Sequence, residues 1–321
     1  MMAHVAQADE ARGRVVLAVR RGRVHPIALR ASLLMAQAYH AEIESLFIED
    51  TALFEARDHA FVSVCDTRGG ARMALVTQPL TQVMRHDARA LERDLGALAG
   101  LAGVRYRPGR TRARPQVALV EACATQGPWN LVALGEAVGA ASTDQVVALL
   151  DEVPDTTGVL MVGPLAKRAT GPLVVVLDDV TQVQAALRLA DAVGALTSAP
   201  RSGPVPPGRK ASRADRRSAD VDTPTLTPNG APNGPIAIVT GTDADAIGEI
   251  EGQLRLAPED TARFARITPC VLTAFAPGAL AECVRRVRPG LVAARAPTLT
   301  STPGVLRALL ASLEAPLLLM R

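Results

Sequence analysis

The stretch 14-RVVLAVRRGRVHPIALRASLLMAQAYHAEIESLFIED-50 decides the fold, because it combines two short apolar runs with one longer amphipathic segment. Residues 15–19 and 43–48 are rich in Val, Ile and Leu and predict buried strands. Residues 26–40 predict a helix, with Pro26 in a first turn that tolerates proline. Strand, helix and strand in this order are typical of a parallel sheet, so the chain opens as an α/β protein.

The same alternation continues to about residue 162. The clearest predicted helix covers residues 79–101, because apolar residues recur there every three or four positions: Leu80, Met84, Ala88, Leu91, Leu95 and Leu98. Before it, the segment 50–77 predicts one short helix. Further strands are predicted at 104–112, 129–134 and 158–162, and further helices at 115–125 and 144–150. We expect the strand at 104–112 to lie near a sheet edge.

The pattern then starts again at 172-PLVVVLD-178. The second set of strands is predicted at 172–178, 236–240, 267–273, 291–294 and 317–320, and its helices at 182–195, 244–254, 278–287 and 303–313. A fixed order that repeats after about 155 residues indicates an internal duplication. We therefore predict two domains, 1–165 and 170–321, each with its own five-stranded parallel sheet covered by helices on both faces.

The second copy contains an insertion at residues 198–235. It is rich in Pro, Gly, Ser, Asp and Arg and nearly free of large apolar residues. Such a segment cannot bury enough surface to offset the entropy of ordering it. We predict a disordered loop between the first helix and the second strand of the second copy.

Composition excludes several classes of partner and location. The net charge is +3 with 21% charged residues, which does not favour nucleic acid or an anionic membrane as a partner. Residues 1–14 are polar and do not resemble a secretory segment, and no apolar run is long enough to span a bilayer. The cysteines form no C-x-x-C pair: Cys65, Cys123, Cys270 and Cys283. These features predict a reduced, cytoplasmic protein with structural thiols.

Both halves resemble the universal stress protein (UspA-like) family, in degenerate tandem form. The resemblance rests on the opening stretch at 14–50, on IESLFIED with the helix MRHDARALERDLGALAG, on PLVVVLDD, and on the closing LRALLASLEAPLLLMR. It implies two flavodoxin-like, adenine nucleotide alpha hydrolase-like repeats, each a three-layer α/β/α unit. It also implies a pseudo-dimer within one chain, because family members usually dimerise through the last strand, here residues 315–321.

Nucleotide-binding members of this family carry an Asp at the end of the first strand and a G-x2-G-x9-G-[ST] loop after the fourth. The first copy has Arg20-Arg21 at the strand end. Its loop, 134-LGEAVGAASTDQVV-147, separates Gly135 and Gly139 by three residues instead of two and places Glu136 where a phosphate would lie. The resemblance therefore predicts no ATP site in this copy.

The second copy retains one nucleotide feature, Asp178. Its loop, 294-ARAPTLTSTPGVL-306, has a single glycine, and Pro297 and Pro303 have no amide N–H to donate. Asp178 is thus the one candidate cofactor-binding residue, and we expect that no cofactor is bound, with ATP at Asp178 as the alternative. The Asp178-Asp179 pair alternatively closes a strand and begins a helix cap.

The chain contains no established catalytic or nucleotide-binding motif such as a Walker A loop, and its histidines lack metal-ligand spacing. One arginine row stands out: Arg105, Arg107, Arg110, Arg112 and Arg114. Such a row could hold phosphates or an acidic partner, whereas charges on an edge strand also discourage unwanted strand pairing. Cys123 lies in a predicted helix among apolar residues and is expected to be an inert buried thiol.

These observations predict a non-enzymatic universal stress protein-like regulatory or interaction protein in bacterial stress adaptation. Its expected partner is a protein, or a second copy through the terminal strand. The alternative is an ATP-binding member with slow or no hydrolysis that uses its second copy. A third reading is an accessory module to a transporter or kinase.

Overall fold

The computed structural model describes residues 12–20, 23–56, 63–65, 72–74, 77–124, 128–139, 142–198, 234–241, 244–256, 264–271 and 278–321. Most of the predicted insertion at 198–235 lies outside this description. Its disorder therefore stays a prediction.

The first half alternates strands and helices as predicted. Its strands are β1 (Arg14–Val19), β2 (Glu42–Asp50), β3 (Ser63–Cys65), β4 (Arg72–Ala74), β5 (Tyr106–Ala113), β6 (Asn130–Ala137) and β7 (Thr156–Val162). Its helices are α1 (Pro26–Ala38), α2 (Thr51–Glu55), α3 (Thr77–Leu101), α4 (Pro115–Ala124) and α5 (Thr143–Glu152). The short helix expected between 50 and 77 is α2. The pair β3 and β4 was not predicted and forms a separate antiparallel ribbon.

The second half repeats the order. Its strands are β8 (Leu173–Leu177), β9 (Ile236–Gly241), β10 (Arg266–Val271), β11 (Leu291–Arg295) and β12 (Pro316–Met320). Its helices are α6 (Val183–Ser198), α7 (Ala244–Arg255), α8 (Ala279–Val287), α9 (Ala296–Thr300) and α10 (Val305–Ser312). The predicted helix at 303–313 is α10, and the five-residue α9 was not predicted.

All ten main strands form one sheet, in the order β10-β9-β8-β11-β12-β7-β6-β1-β2-β5. Within each half the five strands are parallel and follow the same spatial order. The two halves join through β7 and β12, which pair antiparallel from Gly158↔Met320 to Val162↔Pro316. β5 lies at one edge of the sheet, as its sequence predicted.

The expectation of two separate sheets is wrong, because β7 and β12 hydrogen-bond to each other and merge the two parallel sets into one. The pseudo-dimer contact expected at the last strand, residues 315–321, is confirmed, because β12 pairs with β7 of the other half. The alternative expectation, that this strand offers its edge to a second copy, is corrected: β12 is paired on both sides within the chain, with β11 and with β7.

The core lies on both faces of the sheet, because alternate side chains of a strand point to opposite faces. Val15 and Leu17 of β1 belong to one apolar cluster, together with α1, α3, α6 and α7. Val16 belongs to the opposite cluster, together with α4, α5, α8, α9 and α10. Central strands covered on both sides need near-continuous apolar runs, which explains LVVVL in β8 and PLLLM in β12.

A buried polar network ties the amino-terminal ends of β1, β2 and β6 together. The side chain of Arg14 is 2% exposed and donates to Glu44 Oε2 at 2.5 Å. Its Nε and Nη2 donate to Asn130 Oδ1 at 3.1 and 3.0 Å, and Nη2 also donates to the carbonyl of Ala122. The Asn130 amide in turn donates to the carbonyl of Cys123 at 2.9 Å. Such a network fixes the positions of its strands because each polar group in it is satisfied.

We expect Glu44→Gln to lower the free energy of unfolding by about 3 kcal/mol, because removing one charge of a buried ion pair leaves its partner poorly compensated. The matched control is Glu42→Gln, in the same strand, whose partner Arg107 has a side chain that is 50% exposed. That substitution should cost less than about 1 kcal/mol. Urea unfolding of both variants measures the difference, and equal losses would contradict a stabilising role for the network.

Candidate functional site

Ligands of open parallel sheets bind at the carboxyl ends of the strands, where the chain reverses its direction of travel across the sheet. In the first half this crevice lies between β1 and β6, and in the second half between β8 and β11. Residues at or just beyond the carboxyl ends of these strands line each crevice. They include Arg20 and Glu136 in the first half, and Asp178 and Thr298 in the second.

The first crevice holds a cavity of about 330 Å³ between β1, β2, β6, α4 and α5. Its floor is apolar and includes Ile48, Leu119 and Val146, while Arg20 and Glu136 supply charge. Arg20 Nη2 lies 3.1 Å from Glu136 Oε2, so an ion pair bridges the crevice. Oε1 of Glu136 is buried and has no hydrogen-bond partner in the part of the chain that the structure describes.

Gly135 allows the backbones of β1 and β6 to lie close together at this crevice. A Cβ atom at this position would lie 2.8 Å from the carbonyl oxygen of Ala18, so only glycine allows β6 to approach β1 this closely. Its own carbonyl accepts from the amide of His25 at 2.7 Å. Packing therefore accounts for a glycine here without any phosphate. Gly139, the second glycine of the sequence pattern, has open space around it.

The second crevice is bridged by hydrogen bonds. Thr298, fully buried in α9, donates from Oγ1 to Asp178 Oδ1 at 2.7 Å. The same oxygen accepts from Nε2 of Gln182 at 2.5 Å, and the amide of Asp178 donates to Gln182 Oε1 at 3.2 Å. The carboxylate is thus held by side chains of this chain. Sequence reasoning selected Asp178 but missed Thr298, since α9 was not predicted.

The two crevices are built alike. Arg20 and Asp178 each follow the first strand of their half. Glu136 lies near the carboxyl end of β6, and Thr298 lies in α9, which follows β11. In both halves, therefore, the residue after the first strand contacts a residue at or beyond the carboxyl end of the strand across the crevice. The contact is an ion pair in one half and a hydrogen bond in the other.

Solved structures match the chain along nearly its whole length. A universal stress protein from Archaeoglobus fulgidus aligns over 96% of this chain and 96% of its own, with a TM-score of 0.57 at 9% sequence identity. The chain has the universal stress protein fold. A functionally unknown protein from Pseudomonas aeruginosa aligns over 97% and 92%, with a TM-score of 0.49 at 12% identity. A universal stress protein family member from Burkholderia pseudomallei covers 46% of this chain and 94% of its own, with a TM-score of 0.31 at 17% identity.

No family profile and no curated protein matches the sequence. The similarity is therefore one of fold. It confirms, for the fold alone, the resemblance to universal stress proteins that the sequence indicated. None of the helices within the described ranges is long and apolar enough to cross a membrane.

The nucleotide that the universal stress protein fold implies does not fit the residues of either crevice. In the first, the carboxylate of Glu136 lines the cavity and would repel a phosphate brought into it. In the second, Asp178 already accepts two hydrogen bonds, and α9 follows β11 directly where an open loop would be needed. Pro297 and Pro303 donate no amide hydrogen bond.

The remaining acidic candidate, Asp179, acts as a cap. Its carboxylate accepts from the amide of Thr181 at 2.7 Å, at the start of the 3-10 turn at residues 180–182. This hydrogen bond lowers the pKa of Asp179. No group of three or more potential metal ligands occurs among the residues that the structure describes. His25 caps α1 by accepting from the amide of Ile27 at 3.3 Å, and His86 is on the surface.

Four arginines of the row on and beside β5 are paired with acids of the same half: Arg107, Arg110, Arg112 and Arg114. Burial raises the pKa of Glu49, but hydrogen bonds from Arg110 and Arg112 outweigh it, so that the pKa is lowered overall. Arg112 donates to Glu49 Oε2 from Nη2 at 2.7 Å, and its guanidinium lies 4.3 Å from the ring centre of Phe54. Arg107 lies 3.8 Å from Glu42. These contacts favour a role in protecting the sheet edge over phosphate binding.

Thr298→Val tests whether the bridge in the second crevice stabilises the fold. We expect a loss of about 1.5 kcal/mol in the free energy of unfolding, because a hydrogen bond to a charged group is removed inside the protein. The matched control is Thr300→Val in the same helix, where the side chain is exposed and the loss should be below about 0.5 kcal/mol. Chemical unfolding measures the free energy of unfolding of both variants. Equal losses in Thr298→Val and Thr300→Val would contradict a stabilising role for the hydrogen bond between Thr298 and Asp178.

Proposed function

We propose that this chain is a non-catalytic regulatory or interaction protein of the universal stress protein type, which works without a nucleotide in either half. One observation carries the proposal: both crevices at the carboxyl ends of the strands are bridged by the chain's own side chains. A universal stress protein acting in stress adaptation through its surface needs an intact fold and no ligand. A cytoplasmic location and a protein partner remain predictions.

The side-chain contacts across the two crevices disfavour ATP binding for a physical reason. A triphosphate is held by several backbone N–H groups that point at it from a glycine-rich loop or a helix amino terminus. The first crevice offers a carboxylate at that place, and the second offers Thr298, whose hydroxyl is already committed to Asp178. Binding of ATP to the second half would have to break this hydrogen bond before any new contact formed.

A second candidate function is the sensing of a small ligand other than ATP by the first half. The cavity of about 330 Å³ favours it, because its apolar floor and its charged rim at Arg20 and Glu136 are typical of small-molecule sites. Native mass spectrometry of the purified chain distinguishes the two candidates. A small molecule that is retained by the wild type and lost in Glu136→Gln would favour the second.

The proposal predicts that ATP at about 1 mM shifts the thermal midpoint by less than about 1 °C, since a ligand stabilises a protein only by binding its native state. A nucleotide whose Kd is a hundredth of that concentration would raise the free energy of unfolding by about 2.7 kcal/mol. For a domain of this size, this corresponds to a rise of roughly 5–10 °C in the thermal midpoint. Differential scanning fluorimetry with and without Mg²⁺ is the measurement.

A shift of several degrees would overturn the nucleotide-free proposal. Asp178→Ala then locates the site: loss of the shift assigns it to the second half, and persistence assigns it to the first. In cells, the same substitution separates the two outcomes again. If no nucleotide is used, the Asp178→Ala chain should restore stress survival to a strain lacking the protein as fully as the wild type does.

A further inference from the structure

The cavity of the first crevice carries an excess of negative charge. Among the described residues that line it, the charged ones are Arg20, Asp50 and Glu136, one cation against two carboxylates. A phosphate site needs the reverse, positive side chains or backbone N–H groups that point at the anion. A ligand with one positive charge would bring the described charges of the crevice to zero. The inference rests on the second candidate function, a small-ligand site in the first half, and adds the chemical class of the ligand.

The carboxylate of Glu136 has unused capacity to accept hydrogen bonds. An ionised carboxylate offers about four acceptor positions on its two oxygens. Arg20 Nη2 lies 3.1 Å from Oε2, whereas Oε1 is buried and accepts from no group that the structure describes. A buried acceptor without a donor is unfavourable. The side chain lines the cavity and is 22% exposed, and its terminal torsion is soft, so rotation of the carboxylate turns Oε1 towards a donor in the cavity.

Arg20 leaves this carboxylate open to a second donor. Its side chain is 52% exposed, and ion pairs at such exposure contribute little to stability. Because the contact uses Oε2, a ligand can bind Glu136 without displacing Arg20. The second crevice differs in this respect, since Oδ1 of Asp178 already accepts from Thr298 and Gln182. The first half therefore offers the better acceptor.

Asp50 supplies the second carboxylate, at the carboxyl end of β2. Its Oδ1 accepts from the amide of Ala52 at 3.0 Å and caps α2, so the side chain is held in place. A metal ion does not account for the two acids. No group of three or more potential metal ligands occurs within the described ranges. Ca²⁺ takes about six or more oxygen ligands and Mg²⁺ keeps several waters, neither of which suits a cavity with an apolar floor.

That floor selects for an apolar ligand body. Ile48, Leu119 and Val146 line the cavity and are 0%, 3% and 4% exposed. The cavity volume of about 330 Å³ lies near the lower end of the range for small-molecule sites, about 300–1,000 Å³. A ligand with several charges along its length, such as a polyamine, would place charge against these side chains and lose its hydration. One charge at one end is what the cavity accommodates.

We propose that the first crevice binds a small organic monocation, an ammonium group on an apolar body. The ammonium group donates to Glu136 and Asp50 at the rim, and the apolar body packs on the floor. A charge-assisted hydrogen bond to Glu136 gives the site its preference for a cation, and the floor gives its preference for hydrocarbon. Because the floor comes from β2, α4 and α5, the bound ligand would stabilise the contact of these two helices with the sheet.

Isothermal titration calorimetry of the full chain tests the site with matched pairs of probes: phenethylamine against phenethyl alcohol, and hexylamine against hexanol. Within each pair the apolar body is the same, and the ammonium group alone is exchanged for a hydroxyl group. We expect at least one amine to bind at a single site, about tenfold or more tightly than its alcohol, since a hydrogen bond to a charged group is at stake. Phenylpropionate, which carries a carboxylate on the same ring, should not bind.

Three variants locate the binding. Glu136→Gln keeps the size of the side chain and removes its charge, so the amine should bind about tenfold or more weakly while the affinity of the alcohol stays the same. Arg20→Gln should have the opposite effect and tighten amine binding, because it removes the competing cation. Opposite effects cannot come from a loss of fold. The matched control is Glu152→Gln, which makes the same change in net charge at an exposed position of α5 that does not line the cavity.

The cation site is overturned if no amine binds, if the amines and their alcohols bind equally, or if Glu136→Gln and Glu152→Gln weaken the amines alike. A failure of the nucleotide-free proposal is distinguishable, because it shows as a thermal shift with ATP alone. Amine binding without an ATP shift supports both the cation site and the nucleotide-free function. Absence of amine binding without an ATP shift overturns the cation site and leaves the nucleotide-free function standing.

Discussion

The antiparallel pairing of β7 with β12 is the interaction on which the rest of the structure depends. It satisfies the free edges of two five-stranded sheets that would otherwise be open to unwanted pairing. Close approach of the strands requires Gly158, since a Cβ atom there would lie 2.7 Å from the carbonyl oxygen of Leu319. The last strand thereby becomes an interior strand, buried from Pro316 to Leu319. Among the described strands of the ten-stranded sheet, β5 and β10 remain as edges, and the arginine–glutamate pairs of β5 and Pro269 in β10 protect them.

The two halves that this pairing joins hold different contacts in similar crevices. Each half places one residue after its first strand opposite a residue at or beyond the carboxyl end of the neighbouring strand. Arg20 and Glu136 give an ion pair beside an open cavity, whereas Asp178 and Thr298 give a hydrogen bond beside a short helix. In both halves, side chains of the chain itself form a contact across the crevice. The proposed function without nucleotide rests on this shared substitution of side-chain contacts for a ligand.

Local patterns allowed most elements to be predicted, and long-range contacts escaped prediction. Buried strands such as β8 are apolar throughout, and α3 carries an apolar stripe, so both are visible in the sequence. The helix α9 was missed because Pro297 and its threonines resemble a loop, although proline is well tolerated in a first turn. The single sheet depends on pairings between segments that are distant in the sequence. No local propensity encodes these, so sequence patterns could not have found them.

The state of the last strand tests the account most directly. Hydrogen–deuterium exchange followed by mass spectrometry measures how often the amides of residues 317–320 become exposed to solvent, and the free energy of that opening. If β12 is an interior strand paired on both sides, these amides should exchange as slowly as those of β1, without any added ligand or second copy. Exchange within seconds, as for a frayed chain end, would contradict the joined sheet.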